Sequence, residues 1–171
     1  MRPVKLAKAI VATYALACKW DKNRVAEVPM QSRPFPSAPE ARSPAGAEIR
    51  SLIEGETGDM IHSTVPPGQV NRATVHATVS EFWHVLSGKG EIWRRDATGE
   101  ETTVLESGVS IDIPVGTAFQ YRCTGADALQ FLCVTMPRWP GDYEATVIEG
   151  PGNRMLPKVG DNATTYGGIG R

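Results

Sequence analysis

Between residues 48 and 135 the chain never sustains an apolar pattern for longer than one strand. Short runs with strand character occupy 48–53, 60–65, 72–75, 82–86, 90–94, 102–105, 110–113, 118–123 and 129–135. Turn signals separate them: Glu-Thr-Gly-Asp, Pro-Pro-Gly, Ser-Gly-Lys-Gly, Ala-Thr-Gly-Glu, Glu-Ser-Gly and Thr-Gly-Ala-Asp. Glycine supplies the backbone angles that tight turns need, and no helical period lies between the runs. Such a pattern can close only as an all-β sandwich or barrel.

The flanks read differently. Residues 28–47 (VPMQSRPFPSAPEARSPAGA) carry too many prolines for a helix and predict an extended arm. Residues 1–47 are therefore expected as an N-terminal extension with a short helix and a Pro-rich linker, 48–149 as the barrel, and 150–171 as a polar, Gly-rich tail. After Pro137 the strand pattern stops, and RWPGDYEA reads as a turn-rich exit.

The net charge of -1 across 171 residues gives no reason to expect nucleic acid or an anionic membrane as a partner. The three cysteines are an odd number without C-x-x-C spacing, which argues against a disulfide framework or zinc knuckle and for a reducing, cytoplasmic setting. The N-terminal MRPVKLAKAIVATYALAC has the outline of a signal peptide, so export is the alternative, although its apolar run is short and Ala-rich.

Two spaced motifs then narrow the fold. Gly68 is followed by QVNRA, Thr74-Val75-His76, ATVS, Glu81, FWHVLS and Gly88. Gly108 is followed by VSIDI, Pro114-Val115-Gly116, Thr117-Ala118, Phe119 and, four residues on, Cys123. These resemble, without insertion or deletion, the two motifs of the cupins over about residues 48–137. EFWHVLSGKGEIWRR, IPVGTAFQYR and TMPRWPGD look like a group of small single-domain bacterial cupins with no assigned reaction. The resemblance implies a double-stranded β-helix, or jelly-roll barrel, and a homodimer formed by sheet packing.

It also implies a metal site in which two His and a Glu of the first motif meet a His of the second. Imidazole with carboxylate suits iron, manganese, nickel or zinc. Matched position by position, this chain supplies Thr74, His76, Glu81 and Phe119, and phenylalanine cannot coordinate. No firm cofactor is expected, and a divalent metal would be weakly held. His84 does not fill the gap, because side chains alternate along a strand and His84 lies three residues from Glu81. His62 is the remaining candidate: it is in phase with Met60 and Thr64, and if that face lines the barrel, His62, His76 and Glu81 form a two-His, one-carboxylate set. The period fixes the alternation but not its sign.

Without metal, His76 and Glu81 in a partly apolar cavity can act as a general acid–base pair. Tyr121, in phase with Phe119, would add a phenol, Cys123 a thiol and Thr74 a hydroxyl. Trp83, Phe119 and Trp93 would make the pocket aromatic. The sequence therefore points to a small organic ligand, with proton-transfer chemistry of the isomerase, lyase or cyclase kind. The alternatives are a non-catalytic ligand-binding barrel and, third, a metal-dependent dioxygenase. Cys133 has no function expected of it beyond packing.

Overall fold

The computed structural model describes residues 30–43 and 46–151, and among them there is no helix. The signal-like N-terminus, where a short helix was expected, and nearly all of the expected tail lie outside the described residues. The strands are β1 (Ala41–Arg42), β2 (Glu48–Glu54), β3 (Asp59–Val65), β4 (Thr74–His76), β5 (Ser80–Ser87), β6 (Lys89–Arg95), β7 (Glu100–Glu106), β8 (Ser110–Ile113), β9 (Ala118–Cys123), β10 (Leu129–Met136) and β11 (Ala145–Val147). They form two sheets, ordered β1-β2-β3-β10-β5-β8 and β11-β4-β9-β6-β7, with antiparallel pairing throughout. This is the all-β class that the run of short strands predicted and the jelly roll that the motif resemblance implied.

Two strands depart from the sequence reading. β1 lies within the Pro-rich stretch and pairs with β2, Ala41 opposite Ile49. β11 lies in the segment read as an exit and pairs with β4, Ala145 opposite His76. Both are too short to leave a periodic signal, and each is held by tertiary pairing at a sheet edge.

Inside the first sheet, the strand pleat stacks side chains in rows that run across β3, β10 and β5. The top row is Asp59, Thr135 and Glu81, followed by Ile61, Cys133 and Trp83, then Ser63, Phe131 and Val85. Val65 and Leu129 follow, completely buried together with Leu105 and Ile92. That end is closed by hydrocarbon, each such side chain contributing roughly 1.5–3 kcal/mol on burial. The β5–β6 turn at the same end needs Gly88: its φ is +81°, and a Cβ there would collide with the Ala128 carbonyl.

The opposite end stays open, because its rows carry polar residues. The segment after Pro137 crosses over it. The Trp139 backbone N–H donates to Asp59 Oδ2 (3.0 Å), and Arg138 pairs with Glu54 (2.7 Å). Buried Glu144 accepts the backbone N–H groups of Thr78 and Val79 and the Thr78 hydroxyl, each at 2.7 Å. Burial raises its pKa, but these hydrogen bonds outweigh burial and hold its carboxyl below the usual range. The loop between His76 and Glu81 is thereby fastened to the strap.

Candidate functional site

A cavity of about 350 Å³ fills the open end of the barrel. Its wall is mostly apolar and aromatic, with Ile61, Trp83, Phe119, Tyr121, Phe131 and Trp139 among the lining residues. That volume lies at the small end of ligand sites, which span roughly 300–1,000 Å³. The rings lock one another. Trp83 stacks on Phe131 with centroids 4.1 Å apart, and Tyr121 meets Trp83 edge-on at 4.8 Å.

His76 and Glu81 face each other across this space from different sheets. His76 Nδ1 lies 3.7 Å from Glu81 Oε1, beyond hydrogen-bond range, and it has no other partner although buried. The imidazole is gripped edge-on by Phe119 and Trp139, each at 5.1 Å. Burial lowers its pKa, partly countered by the Glu144 charge, so the ring is neutral near pH 7. Glu81 Oε2 accepts from Trp83 Nε1 at 2.7 Å. Burial raises the Glu81 carboxyl to about 7, against the opposing effect of hydrogen bonds from Trp83 and Cys133. It is thus poised between acid and base near neutrality.

Thr74, His76, Glu81, Trp83, Phe119 and Tyr121 all line the cavity, on the faces that strand alternation assigned to them. Thr74 does so with its hydroxyl already donated to the Arg72 carbonyl (3.2 Å). Tyr121 is fully enclosed, and burial pushes its phenol well above its ordinary pKa. It stays protonated and can offer a hydrogen bond, but it cannot act as a base. His84 is exposed on the outer face, where its Nδ1 meets Ser110 Oγ at 2.8 Å.

Three expected contributors are placed elsewhere. His62 is on the outer face of β3, edge-on to Phe35 at 4.9 Å and close to Thr64, because Ile61 and Ser63 take the inward positions. It cannot complete a set with His76 and Glu81. Cys123 has the right phase but the wrong depth: it sits in the closed core, its thiol 3.2 Å from the Asp127 carbonyl. Trp93 packs outside the second sheet against Ala118, since its neighbour Ile92 points inward.

Other residues reach the site that sequence reasoning missed. Cys133 lies beside Glu81, and burial lifts its thiol pKa well above the usual value. Trp139 comes from the strap. Asn71 projects from the loop before β4, and Ser63, Thr135 and Asp59 come from inward strand positions. For Ser63 and Thr135 the alternation was a usable signal. Trp139 and Asn71 lie in loops without a period.

The donor set does not fit the metal centre implied by the motifs. The fourth position holds Phe119, whose ring packs on His76, and Thr74 is turned to the backbone. Among the described residues no group of three His, Cys, Asp or Glu could share an ion.

Residues 61–135 match the family model described as a cupin domain. The chain carries a cupin domain. Among solved structures, the chain resembles a conserved protein with a double-stranded β-helix domain from Klebsiella pneumoniae subsp. pneumoniae. Identity is 22%, the TM-score is 0.50, and the match covers 70% of this chain and 91% of that one. The capsular polysaccharide assembling protein CapF from Staphylococcus aureus matches at 19% identity and TM-score 0.57, over 70% of this chain and 35% of CapF. Oxalate decarboxylase from Lactobacillus farciminis, solved with formate, matches at 17% identity and TM-score 0.52, over 64% of this chain and 33% of the enzyme. The chain thus spans about a third of those two proteins. Likeness at these identities establishes the fold alone. No curated protein matches the sequence.

Proposed function

We propose that the barrel binds a small, mainly apolar organic molecule and moves a proton on it, with Glu81 and His76 as the acid–base pair. The observation that carries this reading is a buried carboxyl with a pKa near 7, 3.7 Å from an unpartnered imidazole nitrogen, both facing one cavity. A group whose pKa matches the working pH can both take and return a proton. Glu81 abstracts the proton from a carbon or hydroxyl of the ligand, and neutral His76 holds or relays it on the far side. Trp83 keeps the carboxylate aimed, and Tyr121 donates a hydrogen bond to a ligand oxygen. The net chemistry is that of an isomerase, lyase or cyclase. A buried aromatic cavity with neutral polar groups suits such a ligand better than a phosphosugar, which would call for more cations inside.

A ligand screen, followed by turnover of the hits with wild type, His76→Ala and Glu81→Gln, tests the reading. Loss of turnover in both variants is expected, with wild-type activity rising as pH passes about 7 and the Glu81 carboxylate forms. Hits that bind all three proteins alike without turnover would reduce the site to a non-catalytic binder. Metal analysis of His76→Ala and wild type adds a second check: one tightly bound equivalent, lost in the variant, would return the site to metal chemistry. A cytoplasmic homodimer accompanies the proposal, and a molecular-mass measurement in solution would expose a monomer. Among the described residues no helix is long and apolar enough to cross a membrane.

A further inference from the structure

Polar atoms buried without partners are costly, by roughly 1–3 kcal/mol each, and few are expected in a domain of this size. Here, among the described residues, six of the ten such atoms belong to residues that line one cavity. Ser63 Oγ, Thr135 Oγ1 and both side-chain atoms of Asn71 make no hydrogen bond, nor do Asp59 Oδ1 and His76 Nδ1, whose nearest charged partners are Arg138 Nε at 3.6 Å and Glu81 Oε1 at 3.7 Å; all five residues line the cavity. Asn71 stands out. Its exposure is 2%, and its backbone is fixed on both sides: the N–H donates to the Tyr121 carbonyl (2.9 Å), and its carbonyl accepts from Gln120 Nε2 (2.7 Å). The side chain is thus rigidly presented: it reaches toward the Tyr121 hydroxyl without closing a full hydrogen bond, and neither its donor nor its acceptor is satisfied.

We infer that Asn71 forms a recognition subsite, separate from the His76–Glu81 pair, for an uncharged donor–acceptor edge of the ligand such as a carboxamide or lactam. This rests on the cavity being a ligand site. An amide presents N–H beside C=O, and only a group with the reverse order satisfies both at once. The argument survives a flip of the side chain, because either orientation leaves one donor and one acceptor. Tyr121, whose hydroxyl is approached by Asn71 and Ser43, stays a neutral phenol and reinforces a neutral partner. Ser63 neighbours Phe131, the ring that Tyr121 meets edge-on at 5.7 Å, and adds a hydroxyl on that side. Arg42 and Arg72 also border the cavity, but both are exposed, and Arg42 is engaged by Glu48 at 3.3 Å. Neither is placed as a buried counter-ion.

The subsite gives the ligand a shape. Asp59 and Ser63 are four residues apart on β3, about 13 Å along the strand. The polar top row and the Ser63 level are separated by Ile61, Cys133 and Trp83. The molecule then has a reactive end under Trp139, an apolar middle against Trp83 and an uncharged polar end at Asn71.

Three probes built on one phenyl ring test this: benzamide, toluene and benzoate, their binding measured by titration calorimetry on the full chain. Benzamide is expected to bind wild type at least about tenfold more tightly than toluene, as two hydrogen bonds to otherwise unpaired groups would give. Asn71→Leu should erase that advantage while keeping toluene binding. Should Asn71→Leu fail to fold, Asn71→Asp, which replaces the donor with an acceptor, should reduce the advantage at unchanged size. Equal binding of benzamide and toluene, or an advantage that persists in the Asn71 variants, overturns the subsite and leaves the acid–base reading standing. Preference for benzoate overturns it in favour of an anion site at the arginines. An advantage seen in wild type and lost in the Asn71 variants, with no turnover of any hit by wild type, supports the subsite and removes the acid–base reading instead. Binding of no probe overturns the subsite and leaves the acid–base reading to the turnover screen.

Discussion

The two ends of the barrel are built from the same strands in the same phase, yet they do opposite things. At the closed end β3 and β10 contribute Val65 and Leu129, both completely buried, and the core around them is hydrocarbon with Cys123 as a small filler. At the open end, six residues along the same strands, they contribute Asp59 and Thr135, beside Glu81. The closed end is packed from apolar side chains. The open end leaves buried polar atoms unpaired and a carboxyl out of its ordinary pKa range. A domain that keeps such groups gives up stability at one end and depends on the other to hold the fold.

The largest expected effect tests the closed end. Leu105→Ala removes a fully buried side chain there and should destabilise the fold by about 2–5 kcal/mol in urea denaturation. A loss below about 1 kcal/mol would mean that this end is not the stabilising half.

Next comes the carboxyl. Because burial raises the folded-state pKa of Glu81, the folded form holds the proton more tightly than the unfolded chain. Its stabilising contribution is present below about 4.5 and is lost as pH rises through about 7. Glu81→Gln should remove that slope, gaining on wild type by about 3 kcal/mol between pH 5 and pH 8. Denaturation curves that keep the same spacing at both pH values would show the carboxyl to be solvated after all.

Thr135→Val is the smaller, opposite-signed test. It deletes an unpaired buried hydroxyl, so stability should stay within about 1 kcal/mol of wild type or rise, while affinity for any screened ligand falls. A clear destabilisation would show the hydroxyl to be satisfied within the protein. Smallest of all, His84→Ala on the outer face should shift stability by less than about 0.5 kcal/mol and leave ligand affinity unchanged. A tenfold loss of affinity in that variant would bring His84 into the site.

Much of the site was legible before the structure, and the misses have definite causes. Alternation correctly put Glu81 and Trp83 on one face of β5 and His84 on the other. It left the sign of β3 open, and the structure turned His62 outward by seating Ile61 and Ser63 inside. Phase also says nothing of depth: Phe119, Tyr121 and Cys123 share a face of β9, but only the first two reach the cavity. Cys133 was read as packing alone and stands beside Glu81. Asn71 and Trp139 were invisible because loops have no period; their positions come from hydrogen bonds to Tyr121 and to Asp59.

The sequence by itself determined the all-β class, the barrel and which residues share a face, since turn chemistry and a two-residue period are local properties of the chain. The motif spacing also showed that half of a metal set is missing, because ligand identity can be read position by position. Only the tertiary structure decided which rows form the open end, that the strap brings Trp139 over His76, and that Glu81 titrates near neutrality. Those outcomes depend on burial and on pairing between residues distant in sequence, and desolvation acts on a carboxyl only once the surrounding strands have closed around it.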